Sequence, residues 1–291
     1  MEKYLGFNHA QIIRTLIACL PNESKDFLIN NGASIPISNP PLFNYASFCK
    51  VLSIPHLSIE DHKILTIKNP KNYLIVQEIL KMFMEQIPSL KQMDFCFEKD
   101  YYDYYNYYNK LYTKYNVLDF INFPGANDFF SDILIKFLVN NGRNLEELTV
   151  FHCDNNSLNL AIANYCPNLK SLNVDFPSNE KEKLIMILVN CQQLESIITS
   201  CGGSYLSGKK LLELVAKYSP KNFHELNLHN ANLDSKVLES FFTSWKNRIS
   251  QKPFSFIIND NGNGPLNNKK IRKLVKKYKG LGIIKKFKFS E

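Results

Sequence analysis

The chain has no hydrophobic run that could cross a membrane. Its longest unbroken apolar stretch, Leu184 to Val189, is only six residues long, whereas a spanning helix needs roughly 20. The apolar stretch from Ile12 to Leu20 contains Arg14 and lacks a small-residue cleavage site, so it does not read as a signal peptide. No two of the seven cysteines (Cys19, Cys49, Cys96, Cys153, Cys166, Cys191, Cys201) have CxxC or zinc-finger spacing. An odd, scattered set of this kind speaks against a disulfide framework and for buried thiols in a reducing compartment. Asn261-Gly262-Asn263-Gly264-Pro265 has neither the lysine nor the spacing of a phosphate loop. The triplet His152-Cys153-Asp154 sits where a strand ends, and neighbours along a strand point to opposite faces, so the three do not converge on a metal or a nucleophile. These absences leave no catalytic residue, no metal site and no cofactor to assign. The expectation is a non-enzymatic protein of the cytoplasm or nucleus, a monomer with no membrane partner.

With 291 residues, 45% of them hydrophobic and 21% charged, the chain has ample material for a globular core. The net charge of +8 is unevenly distributed. Residues 246–291 hold 13 Lys/Arg against two acids, and the preceding 245 residues hold 22 against 25. Basicity is thus a property of the C-terminal end.

The dominant positive signal is a repeat. Cys166-Pro-Asn-Leu169-Lys-Ser-Leu172-Asn-Val174 ends with two apolar residues one position apart, the spacing of a strand's inward face. Gly142-Arg-Asn-Leu145-Glu-Glu-Leu148-Thr-Val150 has the same form, as do Tyr115 to Phe123 and Cys191 to Thr199. Anchored on the two strand positions, the series runs Leu65/Ile67 (a weak copy), Met93/Phe95, Ile121/Phe123, Leu148/Val150, Leu172/Val174, Ile197/Thr199, Leu226/Leu228, Phe256/Ile258 and Phe287/Phe289. The steps are 28, 28, 27, 24, 25, 29, 30 and 31 residues, in or just beyond the leucine-rich-repeat range. Amphipathic stretches fall between the strands: 72–85, 128–141, 158–165, 180–190, 209–218, 235–248 (with Asp234 as its cap) and 268–279. Strands alternating with helices imply a parallel sheet. The expected fold is α/β: a leucine-rich-repeat solenoid of about nine strand-helix units over residues 61–291, with a curved parallel sheet inside and helices outside. Residues 1–60 are expected to form a helical N-terminal cap. It comprises a helix over 8–20, a second from Pro21-Asn22 to Gly32, and a third from Asn44 burying Tyr45, Phe48, Val51 and Leu52.

The Cys-Pro-Asn-Leu at 166–169 and Cys-Gln-Gln-Leu at 191–194 resemble the cysteine-containing leucine-rich repeats of F-box proteins, in the ribonuclease-inhibitor-like superfamily. The resemblance covers roughly residues 62–291. Cys19 to Phe27 with Phe43 to Phe48 looks like the linker that follows an F-box in some expanded fungal families. It implies a non-catalytic module that binds a protein substrate for a cullin-type ubiquitin ligase. An F-box opens with Leu-Pro and ends near a Trp. Here the only Leu-Pro is Leu20-Pro21 and the only Trp is Trp245, so no F-box is recognised, and a Skp-type adaptor is an expected partner only if one lies upstream. The alternative is a stand-alone scaffold or inhibitor that uses the same surface without ubiquitin machinery.

In a solenoid of this type the residues flanking the inward anchors form the concave face. The candidate partner-binding residues are therefore Phe120, Asn122, Glu147, Phe151, Ser171, Asn173, Asp175, Glu225, Asn227 and His229. A surface of Asn, Asp, Glu and single aromatics suits polypeptide recognition. The basic residues Lys269, Lys270, Arg272, Lys273, Lys276 and Lys277 share one side of the last helix, opposite Ile271, Leu274, Val275 and Tyr278. They read first as a solvated face and second as a contact for nucleic acid or an acidic partner. Without aromatic stacking residues beside them, nucleic acid is the weaker reading. The tyrosine-rich segment 101–115 reads first as a repeat helix with a tyrosine core face and second as an exposed aromatic patch.

Overall fold

The computed structural model describes residues 9–36, 41–43, 45–53, 72–87, 90–95, 126–150, 156–248, 252–259 and 269–290. The expected strands at Leu65/Ile67 and Ile121/Phe123, the tyrosine-rich segment 101–115, the triplet 152–154 and the turn 261–265 lie outside the described residues. The chain divides into two compact units, Met1–Asn141 and Gly142–Glu291. The 60/61 boundary expected from the repeat pattern falls among residues that are not described.

In the first unit, helix α1 (His9–Cys19) and helix α2 (Asn22–Asn30) bury Leu16, Ile17, Leu20 and Leu28. Gly32, at φ 74°, ends α2 in the left-handed conformation. There the Gly32 N–H donates to the Ile29 carbonyl and the Ala33 N–H to that of Leu28. The third helix expected from Asn44 does not form. A single 3-10 turn, Tyr45–Phe48, is followed by strand β1 (Val51–Ser53). Tyr45, Phe48 and Val51 are exposed, Phe48 at 71%, and of the four expected core residues only Leu52 is buried. The reason is local: Val51 and Leu52 alternate in and out as a strand requires, and the short segment between Pro41 and Ser53 cannot supply the turns that would make a helix pay back its nucleation. Helix α3 (Asn72–Gln86) buries Leu74, Ile75, Ile79, Leu80 and Phe83. Strand β2 (Gln92–Phe95) pairs in parallel with β1, setting Leu52 beside Met93. Helix α4 (Ala126–Asn141) buries Leu134, Phe137 and Leu138.

The second unit is a regular α/β array: β3 (Glu147–Val150), α5 (Asn156–Tyr165), β4 (Ser171–Val174), α6 (Lys181–Asn190), β5 (Ser196–Ser200), α7 (Gly208–Tyr218), β6 (Glu225–His229), α8 (Ser235–Lys246), β7 (Phe254–Asn259), α9 (Lys269–Gly280) and β8 (Ile284–Ser290). From β3 to β8 every strand pairs in parallel with the next in sequence, and consecutive helices from α5 to α9 pack side by side. This is an all-parallel α/β arrangement, compatible with a solenoid.

The local geometry repeats too. An N–H three residues on closes a turn ahead of four successive strands: Leu145 to Gly142, Leu169 to Cys166, Leu194 to Cys191 and Phe223 to Pro220, at 3.0–3.3 Å. One carbonyl then accepts two N–H groups from the following unit. Glu146 takes Lys170 and Ser171, Lys170 takes Glu195 and Ser196, and Glu195 takes His224 and Glu225. The sequence pattern Cys/Gly-x-x-Leu-x-x-apolar-x-apolar therefore encodes a turn followed by a registered strand. Cys166 and Cys191 are fully buried at the first template position. Burial pushes both thiols up, Cys191 to about 12, so they act as small hydrophobes and not as nucleophiles.

The core runs between sheet and helices. Leu148, Leu172, Ile197, Leu226 and Phe256 form one buried row across the strands. At the C-terminal end the core turns aromatic. Trp245, 1% exposed, lies 4.5 Å from Phe254 between ring centroids, and Phe223, Phe241, Phe242 and Phe256 surround them. Asp234 caps α8 by accepting from the Lys236 and Val237 N–H groups at 2.9 and 2.8 Å, as its position predicts.

Candidate functional site

Because the strands are parallel and in register, equivalent positions of successive units stand side by side. On the face opposite the helices they form three rows. The first is Glu147, Ser171, Ser196, Glu225, Ser255 and Lys286. The second is Thr149, Asn173, Ile198, Asn227, Ile257 and Lys288. The third, at the C-terminal ends of the strands, pairs Ser200, His229, Asn259 and Ser290, with Asp175 bonded to its Ser200 end. Glu147 is exposed, and Ser171, Asn173, Asp175, Glu225 and Asn227 are half-buried. Period-2 alternation thus separates an apolar row that faces the helices from mainly polar rows, in which Ile198 and Ile257 are apolar and Ser255 and His229 are buried. Of the expected surface residues, Phe120, Asn122 and Phe151 lie outside the described residues.

Hydrogen bonds tie the rows across strands. Ser196 Oγ donates to Ser171 Oγ at 3.0 Å. Asp175 Oδ1 accepts from the Ser200 N–H at 2.7 Å, so this carboxylate fixes the end of β5. Behind it, Asn159 Nδ2 donates to the Asp175 carbonyl at 3.3 Å and to Glu180 Oε2 at 2.7 Å, while Glu180 Oε1 pairs with Lys183 at 2.6 Å. Asn259 Nδ2 donates to Asn227 Oδ1 at 3.0 Å and lies 3.2 Å from His229 Nδ1. Asn173 Oδ1 is buried and has no partner among the described residues.

His229 departs from the surface role expected of it. It is only 6% exposed, and burial lowers its pKa to about 4, so its imidazole is neutral at physiological pH. It offers a partner little area and instead joins strands β6 and β7 through Asn259. The sequence could not distinguish this position from Ser200, its partially exposed register neighbour. Asn259 is the sheet-face residue that strand periodicity missed. It falls at the end of a poorer repeat copy, Phe256/Ile258, and its link to both Asn227 and His229 emerges only from the register.

The six basic residues expected to act together do share a helix face. Lys269, Lys270, Arg272, Lys273, Lys276 and Lys277 are all exposed on α9, while Ile271, Leu274 and Tyr278 are buried beneath it. They occupy the helical side of the unit, away from the three polar rows. Among the described residues no group of three or more His, Cys, Asp or Glu could hold a metal ion, and no helix is long and apolar enough to cross a membrane.

Comparison with known proteins adds no family name: no protein-family model and no curated protein matches the chain.

Proposed function

We propose that the second unit is a leucine-rich-repeat-type recognition module that binds a polypeptide across the polar rows of its sheet. The observation that carries this reading is the register. Each strand from β3 to β8 contributes one residue to each of the first two rows, so Glu147, Ser171, Ser196 and Glu225, and Thr149, Asn173 and Asn227 beside Ile198, stand about 4.8 Å apart as side-chain donors and acceptors on one face. Most of these residues contribute complementarity, and a few carry the binding energy. The narrower role of substrate receptor for a cullin-type ubiquitin ligase rests on the F-box-protein resemblance of the 166–174 and 191–199 repeats.

The test is selection of displayed peptides on the wild-type protein, followed by re-binding to Asn173→Arg and Glu225→Arg variants. Both sites are half-buried, and circular dichroism checks that each variant folds. Loss of about tenfold or more in affinity is expected for at least one variant. Peptides that bind both variants and the double variant unchanged would remove the sheet face as the recognition surface. Co-purification with a Skp-type adaptor tests the ligase role separately. If the chain repeatedly fails to retain that adaptor, the ligase reading fails for this chain.

A further inference from the structure

The helical side of the second unit carries a charge pattern that a merely solvated surface does not need. Helices α7, α8 and α9 pack consecutively and together expose twelve Lys/Arg: three on α7, two on α8 and seven on α9. They contain two acids, Glu213 and Glu239, and each already meets a lysine, Lys210 at 3.6 Å and Lys277 at 3.4 Å. The two preceding helices show that this fold does not require such a surface. Helix α5 has no charged residue at all, and α6 has two lysines beside one glutamate, as α8 does, so the excess of positive charge belongs to α7 and above all to α9. Solubility is served by balanced signs, whereas twelve cations against two acids over three adjacent helices, most of the excess on α9, create a field that selects partners of the opposite sign.

A groove of about 220 Å³ runs between α7 and α8 within this basic surface. Leu212, Ala216, Val237 and Phe241 line it with Ser240 and Ser244, and Lys209, Lys217 and Glu213 stand at it, the glutamate paired with Lys210. The combination narrows the class of ligand. Lysines are point charges without the planar fork that reads phosphates and guanine bidentately, and eleven of the twelve cations are lysine. Tyr278 of α9 is buried, and Tyr218 of α7 is half-buried with the Lys217 ammonium 5.0 Å from its ring centroid, so neither offers an open stacking platform for bases. A recessed apolar groove is wasted on a phosphate backbone but fits one side of an amphipathic helix, whose carboxylates would then reach the flanking lysines.

We propose that the α7–α9 face is a second docking surface, taking an acidic amphipathic helix of a partner polypeptide with its apolar stripe in the α7–α8 groove. This surface lies on the opposite side of the sheet from the polar rows, so its occupancy is independent of theirs.

The probe is a fluorescein-labelled synthetic helix of about 20 residues built from Glu, Ala and Leu, with the leucines on one stripe. A scrambled peptide of the same composition, a DNA duplex and vesicles containing phosphatidylserine serve as comparators. The striped peptide is expected to bind the full chain more tightly than all three, and to weaken at least about tenfold between low and high salt. The double variant Lys209→Glu/Lys217→Glu should lower its affinity about tenfold or more. Ser240→Phe, which fills the groove from an exposed position, should do the same without changing net charge, and circular dichroism checks that both variants fold. Asn173→Arg on the sheet face should leave the peptide's affinity unchanged. Equal binding of striped and scrambled peptides, unchanged binding to Ser240→Phe, or tighter binding of duplex or vesicles would each overturn the proposal.

Discussion

Two side chains act well beyond their own strand or helix. Arg248 follows α8, yet its guanidinium donates to the carbonyls of Val215 and Ala216 at 3.1 and 3.2 Å, to the hydroxyl and carbonyl of Ser219, and lies 4.5 Å over the Trp245 ring. It closes the C-terminus of α7 from the neighbouring unit, where the last carbonyls of a helix have no partner of their own. Removing it should cost about 2–3 kcal/mol. Arg248→Lys should recover little of that, because a single ammonium cannot serve four acceptors in a plane. Urea unfolding followed by Trp245 emission measures both, and Trp245, as the sole tryptophan, reports on this region alone. His229 gives a pH signature. Unfolded, it takes up a proton near pH 6.5, and folded only near 4. The folded state is therefore at full strength above about pH 7 and loses stability as pH falls from 6.5 toward 4, by up to about 3 kcal/mol. In His229→Gln that part of the pH dependence should vanish, which denaturant melts at pH 7 and pH 4.5 would show. A variant with an unchanged pH slope would mean that the imidazole is not the group responsible.

At the level of elements, the turn that opens the regular array at Gly142 has no room for a side chain, although Cys166, Cys191 and Pro220 hold the same place in later units. A Cβ built on Gly142 would stand 2.7 Å from the Tyr165 carbonyl oxygen and 3.0 Å from Cys166 Sγ. The first of these is backbone and cannot step aside. Gly142→Ala should therefore cost about 1–3 kcal/mol, although alanine is usually favoured over glycine. A melt at or above the wild-type temperature would show that the α5–β4 turn yields after all. Most elements were legible in the sequence because two periods, 2 for strands and 3.6 for helices, alternate cleanly between Leu148 and Leu228. The segment after Asn44 misled because Tyr45, Phe48, Val51 and Leu52 match helical spacing while three of them are exposed in a short turn and strand. Spacing alone carries no information about which residues a neighbouring element will cover. The polar rows were legible as alternate positions but not as rows. That Asp175 spends a carboxylate oxygen on the Ser200 N–H, or that Asn259 bridges Asn227 and His229, follows from the alignment of strands 25 to 32 residues apart.

For the molecule as a whole, sequential pairing has a mechanical consequence. From β3 to β8 each strand is hydrogen-bonded to its sequence neighbours, so an inner strand is held only by the units on either side of it. Tension applied between residues 142 and 291 does not have to break the sheet at once. It can detach one strand-helix unit at a time from an end, as a tape is peeled. With strands recurring every 24 to 31 residues, each event should lengthen the tether by about 80–110 Å, and an optical-trap trace should show a staircase of steps of that size. A single rip releasing the full length would mean that the packing between neighbouring units binds them all into one block. The chain would then behave under load as a clasp that holds until it opens completely.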